Sequence, residues 1–223
     1  MSKTFWAVIA AIIIVLGGIF FFTGKKDNGS NGSKSSGKTP TSHVLGTSTT
    51  GVKLVEYGDY ECPFCGQFYP VVKQVADQYK DKIQFQFSNL PLTQIHRNAF
   101  AAARAAEAAG KQGKFWEMHD QLYENQDPNG ATGWVADTSD VLSDYFVKFA
   151  QAAGVTDIAK FKTDFASSAV NDAINADIAA FKKTGLDEST PTFFLDGKQI
   201  HPTYDVASFQ KAIDAEIKQK TGQ

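Results

Sequence analysis

The sequence predicts an α/β fold: a sheet domain interrupted by an all-helical insertion and preceded by an N-terminal transmembrane helix. Three observations carry this. Residues 5–22 are an uncharged apolar run, strand and helix patterns alternate from residue 52 onward, and residues from about 93 to 185 carry helical periodicity alone. The chain has 223 residues, 43% of them apolar, enough for a sizeable core in one or two domains. Its formal charge of −2 is unevenly spread. Residues 1–42 hold five Lys and one Asp, which leaves 17 basic and 23 acidic residues beyond them. The folded part is therefore mildly acidic, with no basic stripe to track nucleic acid. Two Cys cannot staple a chain of this size as a multi-disulfide scaffold does, and they cannot alone supply a four-ligand zinc site.

The first element is the apolar run FWAVIAAIIIVLGGIFFF over residues 5–22. As a helix it is roughly 27 Å long, close to the thickness of a hydrocarbon core. No small-x-small site follows Phe20-Phe21-Phe22, which favours an uncleaved anchor over residues 1–24 against a cleaved secretory signal. Lys3 flanks one side of it and Lys25, Lys26, Lys34 and Lys38 the other, so the lysines counted alone would put the C-terminal side in the cytoplasm. Residues 25–42 belong to a Gly-, Ser-, Asn- and Lys-rich tract that cannot bury enough apolar surface to fold. They read as a flexible linker, spanning roughly 25 Å as a random coil.

The domain proper covers residues 43–223. Residues 52–57 (VKLVEY) and 82–89 (KIQFQFSN) read as strands, the second alternating Ile83, Phe85 and Phe87 with Gln84, Gln86 and Ser88. Between them Phe64, Phe68, Val72, Val75 and Tyr79 recur at helical spacing, which completes a β-α-β unit. The insertion, about residues 93–185, opens on the Ala-rich AFAAARAAEAAG and continues through KFWEMHDQLYENQ and three amphipathic stretches. Residues 192–195 and 198–200 flank Asp196-Gly197, a hairpin signal, and a last helix from about Asp205 carries the stripe Val206, Phe209, Ile213, Ile217.

The chemistry concentrates at Cys62-Pro63-Phe64-Cys65. Two thiols three positions apart in the first helical turn lie on one side of the helix, within disulfide reach. They are unequal. Cys62 is expected at the exposed N-terminal edge, where free N–H groups and the helix dipole favour its thiolate, and Cys65 one turn further in. Pro63 costs nothing at a position whose N–H has no helical partner. A structural disulfide is the weaker reading, because so small a loop removes little unfolded-chain entropy. A zinc half-site is weaker still, since its other ligands would come from four scattered histidines, His43, His96, His119 and His201. His96 and His119 read as packing or capping groups of the insertion, and residues 125–137 as a surface loop whose acids do not match an EF-hand, so no metal is expected.

The run Val55-Glu56-Tyr57-Gly58-Asp59-Tyr60-Glu61-Cys62-Pro63-Phe64-Cys65, together with Ser189-Thr190-Pro191-Thr192-Phe193-Phe194-Leu195-Asp196-Gly197, resembles the DsbA-like thiol-disulfide oxidoreductases, a branch of the thioredoxin superfamily. The resemblance runs over residues 43–223. It implies a thioredoxin fold with an inserted helical domain, the CxxC as redox centre with Pro63 and Phe64 as its loop, and no cofactor. It also implies a cis-proline at Pro191, with the Thr190 backbone facing the active sulfur and pairing with an extended substrate. Glu56 would lie beneath the disulfide and relay the Cys65 proton; an exposed strand-end carboxylate stays open, because the alternation around Leu54 and Val55 does not choose its face. Phe64 departs from the family's strong oxidases, which carry His between the cysteines. With no cation there and Asp59 and Glu61 close enough to oppose the thiolate, the Cys62 pKa is expected below that of free cysteine but less extreme than in those enzymes.

The expected activity is donation of the Cys62–Cys65 disulfide to unfolded secreted or cell-surface proteins with free cysteines, through a mixed disulfide. Such donation persists only in an oxidising compartment, which puts the domain outside the cytoplasm on a single-pass anchor and overrides the lysine count. The resemblance implies reoxidation by a membrane quinone reductase of the DsbB or vitamin K epoxide reductase type, and a monomer is expected. A reductase or isomerase of the same fold stays open, as does, further off, a tethered chaperone or interaction module with a structural disulfide.

Overall fold

Strand β2 (Val52–Gly58) lies at the centre of a five-stranded sheet of order β1-β3-β2-β4-β5. It runs parallel to β3 (Ile83–Asn89) and antiparallel to β4 (Thr192–Leu195). A parallel pair needs a crossover, and helix α1 (Pro63–Tyr79) supplies it. Strand β5 (Lys198–Ile200) pairs with β4 across a turn in which Asp196 and Gly197 both take positive φ (47° and 81°), as the Asp-Gly signal requires. At the other edge β1 (His43–Leu45) pairs antiparallel with β3; three residues at the end of a polar tract carry too little pattern to announce it. The computed structural model describes residues 39–127, 131–138 and 140–222. The predicted anchor over residues 1–24 and all but the last four residues of the predicted linker lie outside these. Among the described residues no helix is long and apolar enough to cross a membrane.

The insertion is helical, as its periodicity predicts. It comprises α2 (Ala99–Gly110), α3 (Phe115–Glu124), the single turn α4 (Gly133–Ala136), a π-helical turn at Leu142–Phe146 running into α5 (Val147–Ala152), then α6 (Ile158–Phe165) and α7 (Ser168–Lys182). Asp157 and Ser167 cap α6 and α7 with their side chains, and Asp205 does the same for the last helix, α8 (Val206–Thr221). The fold class is therefore the α/β sheet with a helical insertion that the sequence predicts.

Two main apolar clusters result. One face of the sheet packs Val52, Leu54, Ile83 and Phe85 against Val72 and Val75 of α1 and Phe209 and Ile213 of α8. The second cluster joins Tyr60, Cys62, Cys65 and Phe87 to Met118, Leu122, Trp134, Phe146 and Phe161 of the insertion. At about 1.5–3 kcal/mol for each large apolar side chain buried, this second cluster is a main reason the insertion stays docked. Both cysteines belong to it, so the redox motif sits at the seam between sheet and insertion rather than on the sheet alone.

Candidate active site

The chain leaves β2 at Gly58, turns through Asp59, Tyr60 and Glu61, and enters α1 with Cys62 as its N-cap and Pro63 as its first residue. The turn needs glycine at its start, because a Cβ on Gly58 would lie 2.4 Å from the Phe87 ring. Cys62 and Cys65 are free thiols in this structure. The expected exposure of Cys62 is corrected: the residue is only 3% exposed, roofed by the chain before β4, and its Sγ donates to the Thr190 carbonyl at 3.4 Å. The Thr190–Pro191 peptide is cis. Phe64 is corrected too. Its spacing puts it in line with Phe68, Val72, Val75 and Tyr79 of α1, yet its ring is 55% exposed.

The two thiols differ sharply. The Cys65 thiol donating to its sulfur, followed by an interaction with Thr190 and the N–H groups of Cys65 and Phe64, lowers Cys62 from 9.0 to about 6, against an opposing cost of burial. Cys65 is fully buried, and burial, the bond to Cys62 and the charges of Cys62 and Glu56 push its thiol well up. One bond opposes this: the Asp59 N–H donates to Cys65 Sγ at 3.5 Å.

Glu56 lies below the pair. The alternation that turns Val52 and Leu54 into the core also turns Glu56 there, opposite Phe87 and Phe193 in the neighbouring strands and 3% exposed, which excludes the exposed strand-end alternative. Burial first and the Cys62 charge second raise its carboxyl from 4.5 to about 8. It lines a cavity of about 200 Å³ shared with Tyr69, Trp116, His119 and Tyr123, whose rim at Lys73 and Asp120 reaches solvent.

Sequence reasoning missed the insertion's side of the site. Asp59 is 1% exposed, and its carboxylate accepts from Glu61 N at 2.8 Å, Leu92 N at 2.8 Å and His96 Nδ1 at 2.7 Å. Asp59 thus turns its carboxylate to these three donors, and His96, expected to pack or cap the insertion, bonds Asp59 instead. Glu61 turns away as well, accepting the backbone N–H of Asn98 at the start of α2. Gln126, from beyond α3, donates its Nε2 to the carbonyls of Tyr60 (2.6 Å) and Cys62 (3.0 Å). Gly66 makes this possible, since a Cβ there would fall 1.8 Å from Gln126 Oε1. One signal for Asp59 was available: an acid next to a buried turn needs donors, and the chain has only four His. His119 is buried on α3, and among the described residues its Nε2 has no hydrogen-bond partner. Among the described residues no three or more His, Cys, Asp or Glu side chains gather as a metal site.

A thiolate stabilised by hydrogen bonds, over a buried thiol and a protonated carboxyl, is suited to thiol–disulfide exchange. Comparison with known proteins points the same way. A family model described as thioredoxin matches residues 38–215. The chain is 32% identical to the "Probable disulfide bond formation protein D" of Bacillus cereus, over 93% of each chain. It is 37% identical over 77% of its length to a Na⁺/H⁺ antiporter, NhaA 1 of Salinispora arenicola, and spans only 24% of that protein. Among solved structures, oxidised BdbD from Bacillus subtilis superposes with a TM-score of 0.65 at 25% identity, covering 81% of this chain and 96% of BdbD.

Proposed function

This chain belongs to the DsbA-like thiol-disulfide oxidoreductases of the thioredoxin family, and we propose that it oxidises thiols outside the cytoplasm by donating a Cys62–Cys65 disulfide. The observation that carries this is the asymmetry of the pair, Cys62 brought down to about 6 and Cys65 held well up. A thiolate of an unfolded secreted protein attacks Cys62 Sγ of the oxidised pair. The Cys62–Cys65 bond breaks, and Cys65, a poor thiolate in its buried place, takes the proton of Glu56. A second thiolate of the same substrate attacks the substrate sulfur of the mixed disulfide and Cys62 leaves as thiolate. The substrate dithiol loses two electrons and the enzyme pair gains them.

Glu56, with a pKa near 8, holds its proton at neutral pH and is the acid this step needs; the cavity beside it offers a way to exchange that proton with solvent. The Thr190 backbone, beside Pro191 and within 3.4 Å of Cys62 Sγ, would pair with an extended substrate strand. Phe64 offers an exposed ring to unfolded chains, and Pro63 starts the helix whose N–H groups hold the thiolate. The thiolate at about 6 also favours the dithiol form at pH 7 by about 1.4 kcal/mol over a pair with an unshifted thiol, which makes the couple about 30 mV more oxidising. Disulfide donation belongs in an oxidising compartment, so the domain is assigned to the extracytoplasmic side, on an N-in anchor over residues 1–24 and the linker over residues 25–42. A membrane quinone reductase of the DsbB or vitamin K epoxide reductase type would reoxidise a monomeric enzyme.

The test is thiol trapping in cells. The wild-type pair should be recovered mostly oxidised, and Cys65→Ala should accumulate mixed disulfides through Cys62. A pair recovered mostly reduced would make the protein a reductase, and an oxidised pair inert to dithiols would overturn redox function altogether.

A further inference from the structure

Asp59 touches both sulfur-bearing residues through its backbone. Its N–H donates to Cys65 Sγ at 3.5 Å, and its carbonyl accepts from the Cys62 N–H at 3.1 Å. A residue in that position sets where the two sulfurs lie, so whatever fixes Asp59 fixes the redox centre. Two of its carboxylate's three partners come from the segment between β3 and α2: Leu92 N and His96 Nδ1. His96 is itself anchored, its N–H donating to the Leu92 carbonyl at 2.9 Å. The charge balance points in the same direction. The Cys62-Pro63-Phe64-Cys65 turn contains no cation, while two buried acids, Asp59 and Glu61, stand beside it.

We propose that Asp59 and His96 form a positioning pair for the redox centre: Asp59 holds both cysteines by its backbone, and His96 locks Asp59 and supplies the positive charge that the CxxC turn lacks. His96 acts through Asp59 and is a positioning residue, not a catalytic one. The charges that act on its ring are those of Asp59, which it touches, and of Cys62 and Glu61, all acidic. The hydrogen bond to Asp59 and these charges raise the imidazole above its ordinary 6.5, against burial, so the cation persists where Cys62 is already ionised. As pH rises through the raised imidazole value, the cation is lost and Asp59 is left uncompensated under the thiolate.

This rests on Cys62 being the exchanging thiol, but the test does not. The thiolate absorbance of the reduced full chain, followed against pH in the ultraviolet, reads Cys62 whether or not any substrate is oxidised. His96→Gln, which keeps a hydrogen-bond donor and loses the charge, should move the Cys62 midpoint up by about half a unit to one unit. His96→Lys, which keeps a cation, should leave it near 6, and the double change Asp59→Asn with His96→Gln should return it most of the way, because acid and base are removed together. A packing role for His96 would not give that pattern. An unchanged midpoint in folded His96→Gln overturns the proposal, as does a double variant that shifts as far as the single one. Should His96→Gln fail to fold, the Lys variant and the double variant decide it, and a Lys variant with a raised midpoint counts against it.

Discussion

The floor beneath the cysteine pair and the rim beside it are built on two carboxylates three residues apart, Glu56 and Asp59, and the fold treats them in opposite ways. Both are almost wholly buried, at 3% and 1% exposure. On the floor, Glu56 meets burial and the Cys62 charge, no hydrogen bond among the described residues offsets either, and its carboxyl rises to about 8. On the rim, Asp59 receives two backbone N–H groups and an imidazole. Burial alone therefore does not decide what a buried acid does; its donors do. The floor is contributed by the sheet and two of the rim's three donors by the segment that leads from β3 into the helical insertion, which gives different parts of the fold separate jobs at one site.

The strongest way to break this contrast is to make the floor neutral. The folded-state pKa of Glu56 lies above its unfolded 4.5, so the folded chain binds this proton more tightly. Stability from this group is intact below pH 4.5, is lost as pH rises from there to about 8, and levels off above it. In urea unfolding of the reduced proteins, Glu56→Gln should gain on wild type across that window, by up to about 5 kcal/mol above pH 8, and the two should converge toward pH 4. A difference that does not change with pH would sink this account of the floor.

Removing the rim acid has the opposite sign. Asp59→Ala leaves His96, Leu92 N and Glu61 N without their acceptor, and at pH 7 should cost about 3–4 kcal/mol in the same measurement. A loss below about 1 kcal/mol would mean the rim is not braced by this carboxylate. Smaller again is Gly66→Ala, where the new methyl displaces Gln126 from the Tyr60 and Cys62 carbonyls. It should cost about 1–2 kcal/mol. Combined with Gln126→Ala it should cost little more than either change alone, which a double-mutant cycle reads directly.

Much of the sheet was legible because its signals are local. The Asp196-Gly197 turn, the alternation of Ile83, Phe85 and Phe87, and the stripe of α8 each need only a few neighbouring residues to be recognised, and all three recur in the structure. Strand β1 was not legible, because its three residues pair with β3 from the far side of the β-α-β unit. In the site, the CxxC, Pro63 and the run around Pro191 could be named from sequence, since spacing and a family pattern carry them. The face of Glu56 could not be chosen, because β2 is a central strand with neighbours on both sides and its pattern is too short to show which set is deeper.

The sequence by itself determined which atoms do the chemistry: two thiols three positions apart at the start of a helix, behind a run of apolar residues long enough to span a bilayer. Only the tertiary structure decided their setting. It brought Thr190 over Cys62 across 128 positions of chain and His96 to Asp59 across 37. It also put the exposed ring of Phe64 outside and the carboxyl of Glu56 inside. The physical reason is that a thiol's acidity depends on every donor, charge and water-excluding wall within a few ångströms. Several of those neighbours, Thr190 and Glu56 among them, are brought to the pair by the packing of the sheet, a long-range event that no local pattern records.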